Sequence, residues 1–166
     1  MKKIFFIFFL LALTLNFFLV PKINAANGWT ETQPAGDFDR NWTVSGMSDD
    51  GQTILLGENS GRLYLSTNGG TLWTDKQLAG DADQSWRTAC VSGDGTTAIA
   101  GIDGGRLYLS TDSGNNFSEV QPLGNINSRW RSCAMSDDGQ TIWVGTDRSG
   151  GFISKDGGDT WNPNDP

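Results

Sequence analysis

From residue 29 onward the chain is a series of short runs in which large apolar side chains alternate with small or polar ones. Each run ends in a cluster of glycine, aspartate, asparagine or serine. Alternation with period two marks a strand with one face buried, and such clusters mark the turns between strands. One unit can be followed from Gln84 to Phe117. Ser85 to Val91 alternates large and small residues, and Ser92-Gly93-Asp94-Gly95 turns the chain. The sister turns Ser48-Asp49-Asp50-Gly51 and Ser136-Asp137-Asp138-Gly139 carry the Asp-Gly signal of a tight hairpin. Thr97 to Gly101 reads as a second, buried strand, and Asp103-Gly104-Gly105 as the next turn. Arg106 to Ser110 reads as a third strand with a tyrosine at its centre, and Phe117 to Gln121 as a fourth. After the leader no stretch shows helical period.

The same unit is written three times, 44 residues apart, without insertion or deletion. Trp29, Trp73, Phe117 and Trp161 form one series; Trp42, Trp86 and Trp130 form another; Tyr64, Tyr108 and Phe152 a third. A fixed period of this size marks a modular array whose units bury their apolar faces against their neighbours. Four short antiparallel strands per period is the arithmetic of a propeller blade. The fold class expected is therefore all-β, built of β-propeller blades. The domain runs over 29–166, with repeats 29–72, 73–116 and 117–160 and a partial strand 161–166.

The turn between the third and fourth strands carries a motif. Its copies are Ser66-Thr67-Asn68-Gly69-Gly70-Thr71-Leu72-Trp73, Ser110-Thr111-Asp112-Ser113-Gly114-Asn115-Asn116-Phe117 and Ser154-Lys155-Asp156-Gly157-Gly158-Asp159-Thr160-Trp161. They resemble the Asp-box, or bacterial neuraminidase repeat, written Ser-x-Asp-x-Gly-x-Thr-Trp. The third copy fits completely, the second has Asn116 for Thr and Phe117 for Trp, and the first has Asn68 for Asp. The resemblance implies a propeller of the kind found in sialidases, sortilin-type receptors, xyloglucan hydrolases and photosystem II assembly factors. It also implies that Ser66, Asn68, Gly70, Trp73, Ser110, Asp112, Gly114, Phe117, Ser154, Asp156, Gly158 and Trp161 serve folding on the rim. Turn chemistry gives the same reading: the carboxylate accepts turn amides, and the glycine takes positive φ.

Three blades are fewer than the roughly four to eight of a closed propeller. An open fan exposes two apolar blade faces, which soluble monomers avoid. Three expectations follow: the chain is part of a longer propeller, it is a homo-oligomer, or it is a marginal monomer with exposed ends. Trp29 to Gln33 copies a fourth strand ahead of the first blade, whereas Trp161 to Pro166 is interrupted by Pro163 and Pro166. A proline cannot donate to a strand ladder. Two chains exchanging the first segment would make a six-bladed ring with two-fold symmetry.

The leader alters the picture of charge and location. Residues 1–25 have a basic start, Met1-Lys2-Lys3, an apolar run from Ile4 to Val20, and a small-residue end at Ala25. This is the layout of a cleaved signal peptide and implies a secreted, periplasmic or other extracytoplasmic protein. An uncleaved anchor is the alternative, on an apolar run at the short edge of what spans a bilayer. The whole chain has a net charge of −7. Without Lys2, Lys3 and Lys22, nine basic residues face 19 acidic ones, a net of −10. That balance repels nucleic acid and anionic lipid headgroups, so neither is an expected partner, and no membrane association is expected after cleavage. Cys90 and Cys133 lie 43 residues apart. The pair reads as two small buried hydrophobes, with an inter-blade disulfide as the alternative that an exported chain permits.

No catalytic constellation is present. The chain has no histidine, which removes Ser-His-Asp and Cys-His chemistry and most zinc sites. Sialidase chemistry, as the resemblance implies it, needs three arginines, a Tyr-Glu pair and an early Phe-Arg-Ile-Pro motif, and that motif is missing. Glu31, Glu58 and Glu119 do not occupy equivalent repeat positions. The glycine-rich turns join strand to strand and are not phosphate loops. The paired aspartates lack calcium-loop spacing, so neither a metal nor a cofactor is expected. One cluster suits ligand contact: Trp42, Trp86, Arg87, Arg129, Trp130 and Arg131 stand at the start of each first strand. Such a repeat could stack on sugar rings or grip an acidic group; tryptophans packed between blades are the competing use. The reading is an exported, non-catalytic binding or scaffold module for a glycan or protein. A degenerate sialidase-like glycoside hydrolase and a photosystem-type assembly factor are the alternatives.

Overall fold

A computed structural model describes residues 31–164. The leader, Trp29, Thr30, Asp165 and Pro166 lie outside the described residues. Among those described, the chain forms twelve strands and no helix. Blade 1 contains β1 (Trp42–Met47), β2 (Ile54–Glu58), β3 (Leu63–Ser66) and β4 (Thr74–Lys76). Blade 2 contains β5 (Trp86–Val91), β6 (Ala98–Gly105), β7 (Leu107–Ser110) and β8 (Ser118–Val120). Blade 3 contains β9 (Ser128–Met135), β10 (Ile142–Thr146), β11 (Gly151–Ser154) and β12 (Asn162–Asn164). Every blade is an antiparallel meander.

Three details depart from the sequence pattern. Asp103 to Gly105, which read as a turn, extend β6 because Asp103 and Gly105 pair with Arg129 and Ser128 of β9. The same join recurs one period earlier as the bridge between Gly61 and Gln84. Pro163 does not abolish the last strand: β12 pairs with β11, Phe152 opposite Pro163. It is an outermost strand, where a proline's missing N–H goes unused. Glu31 to Gln33, the described end of the expected amino-terminal strand, are not in a strand.

The core is two inter-blade joints. Leu55, Leu63, Leu65, Trp86, Ala98, Ala100 and Tyr108 close the joint between blades 1 and 2. Ile99, Leu107, Leu109, Trp130, Ile142, Val144 and Phe152 close the joint between blades 2 and 3. Each joint has the same key. A tryptophan of the following blade sits on a glycine of the preceding one. A Cβ at Gly57 would lie 2.6 Å from Trp86 Cβ, and one at Gly101 would lie 2.8 Å from Trp130 Cβ. Only glycine lets the indole approach the sheet this closely, which is why both positions lack a side chain. The ring of Trp86 also tilts against Tyr108 at 6.3 Å.

Cys90 of β5 and Cys133 of β9 form a disulfide, with Cα atoms 6.1 Å apart. Of the two readings, small buried hydrophobes or an inter-blade disulfide, the second is the one formed. The offset of one residue from the 44-residue period turns the two side chains toward each other across adjacent first strands. The bridge ties blade 2 to blade 3.

Candidate functional site

The first strands begin, and the hairpins between second and third strands turn, on one rim of the array. All seven arginines lie there: Arg40, Arg62, Arg87, Arg106, Arg129, Arg131 and Arg148. The opposite rim carries the other two hairpins of each blade and is rich in aspartate. This segregation is invisible in the net charge.

Three arginines converge. Each first strand contains a bulge at the same repeat position, between Trp42 and Val44, between Trp86 and Thr88, and opposite the Gly145–Thr146 step in β9. The extra residues are Thr43, Arg87 and Arg131. A bulge re-aims the side chain it carries. Arg131 thereby reaches Asp103 at 3.3 Å and Asp147 at 3.3 Å. Arg129 contacts the same two carboxylates at 3.1 and 3.2 Å. Arg87 stands 3.8 Å from Asp103, a charge contact rather than a hydrogen bond. Asp103 is therefore shared by two blades. Burial opposes its ionisation, but the hydrogen bond from Arg129 and the charge of Arg131 outweigh that and hold its carboxyl below the usual range. The hydrogen bond to Asp103 in turn raises the pKa of Arg129. Three guanidinium groups over two carboxylates leave an excess positive charge. The side chain of Arg129 remains 48% exposed.

A groove of about 400 Å³ opens beside this cluster, lined by Ser60, Asp83, Gln84, Asp103, Arg106 and Asn127 among others. Arg106 is held by Asn125 at 2.8 Å, and its repeat partner Arg62 by Asp81 at 2.7 Å and Asp83 at 3.1 Å.

The structure brings Arg87, Arg129 and Arg131 together around Asp103. It does not leave the tryptophans free. Trp86 and Trp130 are each 2% exposed and fill the inter-blade joints, so neither ring can stack on a sugar. Trp130 also donates its indole N–H to Gly105 O at 3.2 Å. Trp42 alone stays 39% exposed and meets Tyr64 edge-on at 5.7 Å. Sequence reasoning missed Asp103 and Asp147. Their signal was the position 59/103/147, which reads Asn, Asp, Asp.

The turns between third and fourth strands share one hydrogen-bond pattern. Ser66, Ser110 and Ser154 each accept a glycine N–H, from Gly70, Gly114 and Gly158, at 2.9, 2.9 and 2.8 Å. Each serine hydroxyl then donates to Asn68, Asp112 or Asp156, at 3.0, 2.8 and 2.7 Å. The acceptor oxygen of that residue takes the N–H of Leu72, Asn116 or Thr160. Hydrogen bonds from the Thr160 hydroxyl and N–H, with that from Ser154, hold Asp156 down at about 2. Trp73, Phe117 and Trp161 follow directly and are half-buried, and Trp161 donates to Gly158 O at 3.0 Å.

The first-to-second-strand turns repeat the device. Ser48, Ser92 and Ser136 donate to Asp50, Asp94 and Asp138, each at 2.6 Å. These carboxylates spend their lone pairs on their own turns. Among the described residues no cluster of acidic or cysteine side chains could hold a metal ion.

No protein-family model matches the chain. No curated protein matches it either. Solved structures do. A structure of YCF48 bound to D1 peptide superposes with a TM-score of 0.60 at 17% identity, over 79% of this chain and 44% of that one. An ancestral GH74 enzyme gives 0.59 at 17% identity, over 75% of this chain and 18% of that one. The GH74 xyloglucanase from Xanthomonas campestris gives 0.55 at 16% identity, over 74% and 23%. The fold is that of a β-propeller. The chain spans less than half the length of each of these solved proteins.

Proposed function

We propose that the chain is an exported, non-catalytic binding or scaffold module that receives an anionic protein segment on its arginine rim. The carrying observation is the cluster of Arg87, Arg129 and Arg131 over Asp103 and Asp147. Its aspartates fix the guanidinium planes in advance, so little side-chain entropy remains to be lost on binding. A fixed guanidinium fork matches a carboxylate in geometry as well as charge. The peptide held by the YCF48 propeller supports a protein partner for a chain of this fold.

Fluorescence anisotropy with labelled acidic peptides tests this. Hydrogen bonds to charged groups are worth about 1.5–3 kcal/mol, so Arg129→Ala with Arg131→Ala should weaken binding by roughly tenfold or more. Raised salt should weaken it too. Binding indifferent to both changes rules the reading out.

A second reading is a degenerate glycoside-hydrolase-like module that holds a glycan. The groove beside Asp103 favours it, since Asp83, Gln84 and Asn127 offer the carboxylate and amide groups that hydroxyls use. A glycan array separates the two, because sugar binding there should be insensitive to salt.

A further inference from the structure

The two inner joints show what a blade's trailing face, the one turned toward the next blade, needs in order to accept that blade. It presents a glycine slot, Gly57 or Gly101, flanked by Leu55 and Leu63 in blade 1 and by Ile99 and Leu107 in blade 2. All four flanking residues are completely buried. Blade 3 keeps the slot glycine, Gly145, but exchanges both flanking residues. Trp143 stands where Leu55 and Ile99 stand, and Gly151 stands where Leu63 and Leu107 stand. The exchange is compensatory: one position gains a ring and the other loses a side chain.

The geometry shows where the ring goes. A Cβ at Gly145 would lie 2.6 Å from Trp143 Cη2, and one at Gly151 would lie 2.7 Å from Trp143 Nε1. The indole therefore lies across the slot, in the space left by the missing leucine. In the inner joints that slot is covered by the tryptophan of the following blade. In blade 3 it is covered from within the same strand.

The opposite face of the array, on blade 1, is built to fill such a slot. Trp42, Tyr64 and Leu56 stand where Trp86, Tyr108 and Ala100 stand in blade 2. Trp42 already meets Tyr64 edge-on, much as Trp86 meets Tyr108. Trp42 of a second copy is therefore the natural occupant of the Gly145 slot. Two such joints would close the six-bladed ring that three repeats suggest.

We propose that Trp143 is an internal plug that occupies this slot and blocks head-to-tail association with a second copy. Blade 3 thus carries a plugged trailing face, and blade 1 a leading face on which Trp42 is still exposed. Gly151 is part of the device, because a leucine there would collide with the ring.

The test is the mass in solution of the protein purified after expression of the full sequence, by light scattering at micromolar concentration. Wild type should have the mass of one copy. Trp143→Ile with Gly151→Leu reproduces the Ile99/Leu107 pair and should raise the mass twofold or more. Adding Trp42→Ala should return it to one copy. Trp143→Ile alone, which leaves more room and no new bulk, should shift the mass in the same direction if the double variant does not fold. A wild type that already pairs through Trp42 overturns the proposal. So do folded variants, with native circular dichroism and the Cys90–Cys133 bridge intact, that stay single.

Discussion

The two rims of this array are built on opposite principles. On the aspartate-rich rim, the lower one with the arginine rim set uppermost, the same atoms do the same work in all three blades. Ser48, Ser92 and Ser136 hold Asp50, Asp94 and Asp138 at one distance, and the Ser66, Ser110 and Ser154 turns match to within a few tenths of an ångström. On the upper rim equivalent positions diverge. Position 43/87/131 reads Thr, Arg, Arg; position 41/85/129 reads Asn, Ser, Arg; position 59/103/147 reads Asn, Asp, Asp. Thr43 uses its hydroxyl to seal blade 1 to blade 2 by donating to Trp86 O at 2.7 Å, whereas Arg87 and Arg131 at the same bulge face the carboxylates. Where every repeat needs the same turn, the residues repeat. Around the arginine cluster, where no shared turn constrains them, they do not.

The joints between blades belong with the repeated features, and breaking one should have the largest effect. Trp130→Ala should cost about 3–5 kcal/mol in a denaturant titration, the usual range for a large buried ring. Trp42→Ala, its counterpart on the open face, should cost far less. Equal losses would mean that the joints do not carry the stability. Next comes the hub. Removing the bridge with Cys90→Ser and Cys133→Ser should cost about 2–4 kcal/mol through loop closure. Calorimetry under reducing and oxidising conditions should show the same gap in wild type and none in the variant.

Much of this was legible in the chain, for a physical reason. Strand, turn and period are local properties, so the 44-residue spacing alone placed the blades and their turns. The disulfide and the fate of the tryptophans depend on which faces meet. Burial of Trp86 and Trp130 follows from Gly57 and Gly101, 29 residues earlier in each case. A glycine within a strand marks a close approach without saying what approaches. The arginine cluster was only half visible: Arg129 and Arg131 flank Trp130 in sequence, but Asp103 joins them across two blades.

Smaller effects sharpen the contrast between rims. Ser154 is fully buried, and Ser154→Ala would leave the Gly158 N–H without its acceptor. Thermal unfolding should show a loss of about 1–3 kcal/mol. The lower-rim carboxylates also predict acid behaviour. Asp50, Asp94, Asp112, Asp138 and Asp156 are all held below their ordinary value, chiefly by hydrogen bonds from their own turns. A depressed folded pKa contributes stability above the unfolded value, near 4, and that contribution is lost as pH falls through the folded one. The melting temperature should be level through neutral pH and fall from about pH 4 toward 2, the value held by Asp156. A fall centred near pH 6 would contradict this assignment. Smallest of all, Arg131→Ala should leave the melting temperature within scatter, since exposed ion pairs contribute little, while reducing peptide binding.

The most direct measurement is a chemical-shift map of the isotope-labelled protein titrated with an acidic peptide. Perturbed amides should cluster around Arg87, Asp103, Arg129, Arg131 and Asp147, with the lower-rim turns silent. Perturbation confined to the turns around Asp112 and Asp156, or none at saturating peptide, would contradict it.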